Sequence, residues 1–319
     1  MLSRKNKRLV MKIISLFSVV RGYNIPIIIL AQYLSAIFIL SPKTTRALDV
    51  ILDVNIFILV IASSLSIASG YIINNFYDSK KDLINRPNKS MLDRLISQKT
   101  KLYVYFSLNF IVVFIAAFVS WRAMLFFSVY IFLIWYYSHR LKKHPMVGNL
   151  IAAMLAVLPF FGILLYLFKK DQFENFESSQ IEIIFSHAVF LFLLLLIREM
   201  IKDLENLKGD LANGYNTIPI RYGELLSKKI ITALVLLSVI PIYFLVEIFY
   251  VNYMDIYFYG CLIIFIFFLM RLWQASDKKD FLSLHNWLKF LIVTGVFSIV
   301  LIEPSVLIHG RNMLPLLDI

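Results

Sequence analysis

Runs of apolar residues, each bounded by charged or turn-forming positions, recur along nearly the whole chain. A membrane-spanning helix needs roughly 20 such residues, and segments of that kind fall at about 23–41, 55–76, 102–120, 123–138, 146–167, 181–200, 229–249, 254–272 and 286–307. Nine spans put the termini on opposite sides of the membrane. The segments 102–120 and 123–138 are joined only by Ser120 to Arg122, a tight hairpin, and the second is short for a full span. Residues 9–20 are apolar but interrupted by Lys12, and Arg21 follows without a small-residue cleavage site. That pattern predicts an interfacial helix and not a signal peptide. The longest polar segments are 77–101 and 202–228, and no Gly/Ser-rich linker separates the spans. The expectation is one all-α domain over residues 1–319, with 1–22 as a cytoplasmic or interfacial N-terminal segment: a polytopic membrane protein of nine transmembrane helices.

Composition sharpens this picture. With 60% hydrophobic and 16% charged residues and a mean hydropathy of +0.78 over 319 residues, a soluble globule, a disordered chain and a coiled-coil rod are excluded. A single cysteine, Cys261, excludes a disulfide framework within the chain. The net charge of +12 leaves nucleic acid, anionic lipid, an anionic substrate or topology as explanations. When each Lys and Arg is assigned to a side of the nine-span arrangement, about 26 of the 32 share the side of the N-terminus, which the positive-inside rule makes cytoplasmic. Most of the excess is therefore topological, and no soluble basic and aromatic face exists for a nucleic acid. The chain is expected to be an integral membrane protein (of the inner or plasma membrane in a bacterium), with its N-terminus and long polar loops in the cytoplasm and no required protein partner.

The chemistry gathers in those loops. Asn74, Asp78 and Asp82 are spaced by four, so on a helix they form one stripe drifting about 40° per step. That helix is expected to end near Asn85, because Pro87 steers Arg86 away from helical geometry. After the sixth span, Glu199, Asp203 and Asp210 repeat at helical spacing, the last two separated by two turns. Two stripes of hard oxygen ligands, with no His or Cys beside them, suit Mg²⁺ and not zinc or copper. Since Mg²⁺ usually bridges one or two carboxylates to substrate phosphates, a diphosphate is the natural third party. Cations and donors for it stand nearby: Arg21 and Asn24 open the first span, and Tyr137, Arg140 and Lys142 close the fourth. Solvated juxtamembrane charge is the competing reading of any one of these residues, but solubility does not require two stripes in register.

These residues resemble a known family. Asn74-x3-Asp78-x3-Asp82 followed by Asn85-Arg86-Pro87, and Lys202-Asp203-x6-Asp210 with Gly209, look like the two aspartate-rich motifs of the UbiA superfamily of intramembrane prenyltransferases. The likeness implies that the nine helices are bundled around a central cavity, in an enzyme that binds a prenyl diphosphate through Mg²⁺ between the motifs, with the prenyl tail in a lipid-facing tunnel. It would transfer the prenyl group, by way of an allylic carbocation, to a lipid-soluble acceptor. By position, Asp78, Asp82, Asp203 and Asp210 would be catalytic, and with Asn74 would hold the metals. Arg21, Asn24, Arg86, Tyr137, Arg140, Lys142 and Lys202 would contact the diphosphate. The family often carries Asp where Asn75 and Asn206 stand, and an amide, which brings a carbonyl but no charge, implies a weaker hold on metal. The second loop, with Thr217-Ile218-Pro219, looks most like the branch acting on geranylgeranylglyceryl phosphate in ether lipid synthesis. Branches acting on hydroxybenzoate, dihydroxynaphthoate or homogentisate are the alternative.

A reading from another class is an ion-coupled transporter, but transport acids lie near mid-membrane on broken helices, whereas these cluster at helix ends. The five histidines include no helical pair, so a haem or His-metal centre is a poor fit. His187, inside a span, is as well explained by core hydrogen bonding as by function.

Overall fold

The chain is seen as a computed structural model that describes residues 4–42, 45–170, 178–304 and 306. Among the described residues all regular structure is helical. In chain order the helices are α1 (Arg4–Val19), α2 (Ile25–Ser35), α3 (Ala47–Ile51), α4 (Val54–Asn85), α5 (Pro87–Asp93), α6 (Gln98–Val119), α7 (Trp121–His139), α8 (Val147–Lys170), α9 (Ser178–Glu205), α10 (Leu207–Ala212), α11 (Ile218–Tyr222), α12 (Glu224–Leu237), α13 (Val239–Tyr243), α14 (Asp255–Gln274) and α15 (Lys278–Ser298). Helix is the expected answer, because a segment in lipid must satisfy its backbone hydrogen bonds internally.

Eight stretches are long and apolar enough to cross a membrane, counting the tight turns that extend α2, α12, α14 and α15: Gly22–Leu40, Val54–Asn85, Gln98–Val119, Val147–Lys170, Ser178–Glu205, Glu224–Ile248, Asn252–Gln274 and Lys278–Ile302. The ninth expected segment, 123–138, forms α7 but is not among them. Its Trp, Tyr and His residues, together with Arg122, make it less apolar than its neighbours. The end of the last expected span, 286–307, runs beyond the described residues.

Local chemistry sets the helix ends. Asp53 caps α4 by accepting from the N–H groups of Asn55 (2.8 Å) and Ile56 (3.2 Å), satisfying donors that have no intrahelical partner. Ser120 alone links α6 to α7, extended in backbone, with its hydroxyl accepting from Ala123 N–H at 3.1 Å. At its other end α4 stops at Asn85, as expected from Pro87, which becomes the first residue of α5.

The long helix α4 is the centre of the bundle, packed against α2, α6, α7, α8 and α10. Small buried residues, among them Ala62, Ser63, Ser66 and Ser69, line it, which lets neighbouring backbones approach closely. Large apolar side chains point outward instead, as in the Phe106, Phe110, Phe114 and Phe118 row of α6. That inversion suits lipid as the surrounding solvent.

Candidate active site

The inner half of α4 presents Asn74, Asp78 and Asp82, as their spacing predicts. Around Asp78 three other parts of the chain meet. Asp78 Oδ1 accepts from Lys142 Nζ at 2.6 Å and from the Tyr215 hydroxyl at 2.6 Å, and Lys142 also donates to Asn74 Oδ1 at 2.9 Å. Lys142 comes from the tight turn Leu141–Lys143 between α7 and α8. Gly148 makes room for that turn: a Cβ there would stand 3.1 Å from Lys142 Cα and O. The stretch after α10 is tied to the same turn by Asn216 N–H donating to Lys143 O at 2.9 Å.

The second motif joins through Lys81, whose Nζ lies 3.2 Å from Asp210 Oδ1 and 3.7 Å from Asp78 Oδ2, over the Tyr215 ring at 4.4 Å from its centroid. Asp203 accepts from Asn149 Nδ2 at 2.8 Å. Tyr137 lies within the fields of Glu199, Asp203, Asp78 and Asp210. Thus both motifs converge, with two lysines between them. Burial pulls the Lys142 ammonium down to about 8 against the pull of Asp78. Burial likewise raises the Asp210 carboxyl, with Lys81 opposing, and raises the Tyr215 phenol, with Asp78 adding to the effect.

A small, open cleft lies beside this cluster, lined by Arg21, Tyr71, Asn74, Asp82 and Arg86 among others. Arg21 adopts a left-handed backbone (φ 49°) and sets its guanidinium 4.8 Å from the Tyr71 ring centroid. Asn24 Nδ2 reaches the Tyr71 hydroxyl at 3.5 Å. Asp82 therefore faces a cationic wall.

Other expectations fare differently. Lys202 is engaged by Glu199 at 2.6 Å, and Arg140 is exposed, without an ion pair among the described residues. Asp203 and Asp210 do not share a continuous helix: α9 stops at Glu205, and Asn206 (φ −101°, ψ 9°) starts the separate α10. The break follows from packing, since Gly209 N–H donates to Asn85 Oδ1 at 3.0 Å and a Cβ on Gly209 would collide with the Asn85 side chain. Asn75 also departs from expectation. Its amide donates to Asp93 at 2.9 Å and accepts from the buried Lys101 at 2.8 Å, so its missing charge belongs to a network with α5 and α6. Sequence reasoning passed over Lys81, although it lies one helical turn after Asp78, and over Tyr215 and Asn149, which carry no local signal.

The donor set fits Mg²⁺. Asn74 and the four aspartates offer only hard oxygens, and buried Asp210 Oδ1 has no hydrogen-bond partner, only the Lys81 ion pair. Among the described residues no three His, Cys, Asp or Glu side chains gather closely enough to hold an ion alone, so an ion bound here would need phosphate oxygens or water to complete its coordination.

The chain is similar to known proteins in both sequence and fold. The profile of the UbiA prenyltransferase family matches residues 29–302. A digeranylgeranylglyceryl phosphate synthase of Methanobrevibacter smithii is 27% identical over 296 residues, covering 88% of this chain and 95% of the relative. That of Methanosphaera stadtmanae is 28% identical over 237 residues, 74% of this chain and 82% of its own. In fold, a digeranylgeranylglyceryl phosphate synthase structure matches with a TM-score of 0.66 at 19% identity, over 91% of this chain and 98% of that one. A UbiA homologue from Archaeoglobus fulgidus bound to GPP and Mg²⁺ matches with a TM-score of 0.62 at 15% identity, over 90% and 99%.

Proposed function

The chain belongs to the UbiA prenyltransferase family, an enzyme of prenyl transfer, and from that premise we propose that it moves a geranylgeranyl group from geranylgeranyl diphosphate to geranylgeranylglyceryl phosphate, using Mg²⁺ at Asp78, Asp82, Asp203 and Asp210. The observation that carries the reading is the convergence of Asp78 and Asp210 on Lys81, with Lys142 and Asn74 beside them. Acids from two distant helix ends, interleaved with lysines, are suited to metal and diphosphate together. The named relatives support the choice of acceptor.

When bound, the metal supplies positive charge to the leaving diphosphate. Asp78, Asp82 and Asn74 would hold one ion, and Asp203 and Asp210 the other. With Asp78 engaged in that way, Lys81 and Lys142 are free to turn to phosphate oxygens, where cations stabilise charge that grows as the C–O bond breaks. Arg21 and Arg86 face the same cleft from the other wall. Tyr215 brings its hydroxyl to Asp78 with Tyr137 in the field of the same acids, and the loops carrying Lys142 and Asn216, which are hydrogen-bonded to one another, exclude water from the allylic cation. The acceptor hydroxyl oxygen then bonds to the prenyl carbon and loses its proton.

The topology belongs to the same proposal. With α7 as a ninth span, the N-terminus, the tight turn at Lys142 and both motifs face the cytoplasm, and α1 lies along the interface.

The deciding experiment offers the purified protein in lipid nanodiscs several prenyl diphosphates and competing acceptors, and identifies the extracted product by mass. Digeranylgeranylglyceryl phosphate as the main product is expected. Prenylated hydroxybenzoate or dihydroxynaphthoate instead would overturn the acceptor while leaving the reaction class intact.

A further inference from the structure

A second group of charges lies where α9 and α15 pack together, apart from the aspartates. On α9, Arg198, Lys202 and Glu205 follow at helical spacing along one face; on α15, His285 and Lys289 are one turn apart. His285 Nδ1 meets Glu205 Oε2 at 2.6 Å, which fixes the register of the two helices. Arg86 closes the group from the end of α4, donating to Glu205 Oε1 at 3.0 Å. Counted from that pair along the helix axes, Lys289 is about 6 Å and Arg198 about 10 Å further from the helix ends, with Arg198 half-buried and Lys289 exposed on the bundle surface.

Glu205 is thus committed to Arg86 and His285, and Glu199 to Lys202 at 2.6 Å. What is left is an excess of donors. Arg198 reaches Glu199 only at 3.7 Å, and its Nε is buried with no hydrogen-bond partner. His285, 2% exposed, has its Nε2 buried and without a partner too. Lys289 makes no ion pair among the described residues, and the charges that bear on it are Arg198, Arg86, Glu205 and Arg21, three cations and one carboxylate. Topology accounts for basic residues in the flanking loops. It does not account for a guanidinium with a buried, unpartnered Nε two turns inside α9, nor for a buried imidazole nitrogen with nothing to bind.

We propose that Arg198, Lys289 and His285 form the headgroup subsite that holds the phosphate of the acceptor lipid, next to the cleft where the donor diphosphate is held. A phosphate monoester suits this set: a guanidinium fork and a point-charge ammonium match its oxygens, and its negative charge favours the imidazolium form of His285, in which Nδ1–H serves Glu205 and Nε2–H donates to the phosphate. Its lipid chain can lie along the apolar bundle surface, where Phe290, beside the exposed Lys289, is 60% exposed. Arg86 lies between the two anion sites, lining the cleft with Asp82 while bonded to Glu205. The subsite therefore selects a phosphorylated acceptor and brings its free hydroxyl to the donor.

This inference rests on the acceptor assigned above, and the test separates the two. The full-length protein in nanodiscs is assayed with geranylgeranylglyceryl phosphate and with the corresponding alcohol, varying acceptor and geranylgeranyl diphosphate independently. Losing one charge-assisted contact is worth about tenfold or more in binding. Lys289→Gln and Arg198→Gln are therefore each expected to raise the KM for the phosphate acceptor by about that factor, with the KM for the alcohol and for the donor unmoved. Lys289→Arg is expected to restore most of the loss. An unchanged preference of phosphate over alcohol in both glutamine variants overturns the subsite alone, as does an equal rise in the KM of every substrate. Wild-type protein that prenylates an aromatic acid and not the phosphate acceptor overturns the acceptor assignment, and the subsite with it.

Discussion

Lys142 ties the site together at the scale of single residues. Its ammonium is 8% exposed and serves both Asp78 and Asn74, so Lys142→Met leaves a buried carboxylate with Tyr215 and a lysine 3.7 Å away. Breaking a buried pair in this way costs about 3–5 kcal/mol. The melting temperature of the variant in detergent should fall well below that of wild type, and added Mg²⁺ should raise it by more than it raises wild type, because the ion replaces the missing charge. Equal melting temperatures would contradict that role. Asn75 supports a second prediction. Because it faces Asp93 and Lys101, Asn75→Asp sets two carboxylates together and should lower thermal stability without changing the Mg²⁺ concentration for half-maximal activity. A marked gain in Mg²⁺ affinity would show that the residue belongs to the metal site after all. The spacing of Asn74, Asp78 and Asp82 made their shared face legible in the sequence. The direction of Asn75, one position on, depends on Lys101 from another helix and was not legible.

Among the elements, the break between α9 and α10 shapes the second motif. A continuous helix would present Asp203 and Asp210 along one line, whereas the turn at Asn206 brings Asp210 to Lys81 while Asp203 stays with Asn149. Gly209 permits the close approach by resting on Asn85. Gly209→Ala must push α10 away, at a cost of about 1–3 kcal/mol for overpacking, and prenyl transfer should fall at least about tenfold, as expected when reacting groups are displaced by an ångström. Wild-type turnover by this variant would mean that the placement of α10 does not matter. Helix ends set by neighbours in sequence, such as the stop of α4 before Pro87, could be read in advance. The end of α9 could not, since it is imposed by Asn85 from the other half of the chain.

For the molecule as a whole, the apolar runs foretold a helical membrane bundle with nearly the observed boundaries, and the two motifs foretold where its acids meet. The α7 segment is where the pattern blurs, because Arg122 and the Trp, Tyr and His residues along it lower its hydropathy. A nine-span arrangement can be checked in a Cys261→Ser background: a cysteine at His144, after α7, should react with an impermeant maleimide only from the cytoplasmic side, and one at Arg122, before it, only from the opposite side. Labelling of both from one side would remove α7 as a span.

Prenyl transfer by the purified protein, followed with labelled geranylgeranyl diphosphate and geranylgeranylglyceryl phosphate with and without EDTA, tests the central claim most directly. Mg²⁺-dependent transfer, lost in folded Asp78→Asn and Asp210→Asn variants, is the expected result; transfer that persists in excess EDTA, or in both variants, would contradict the account.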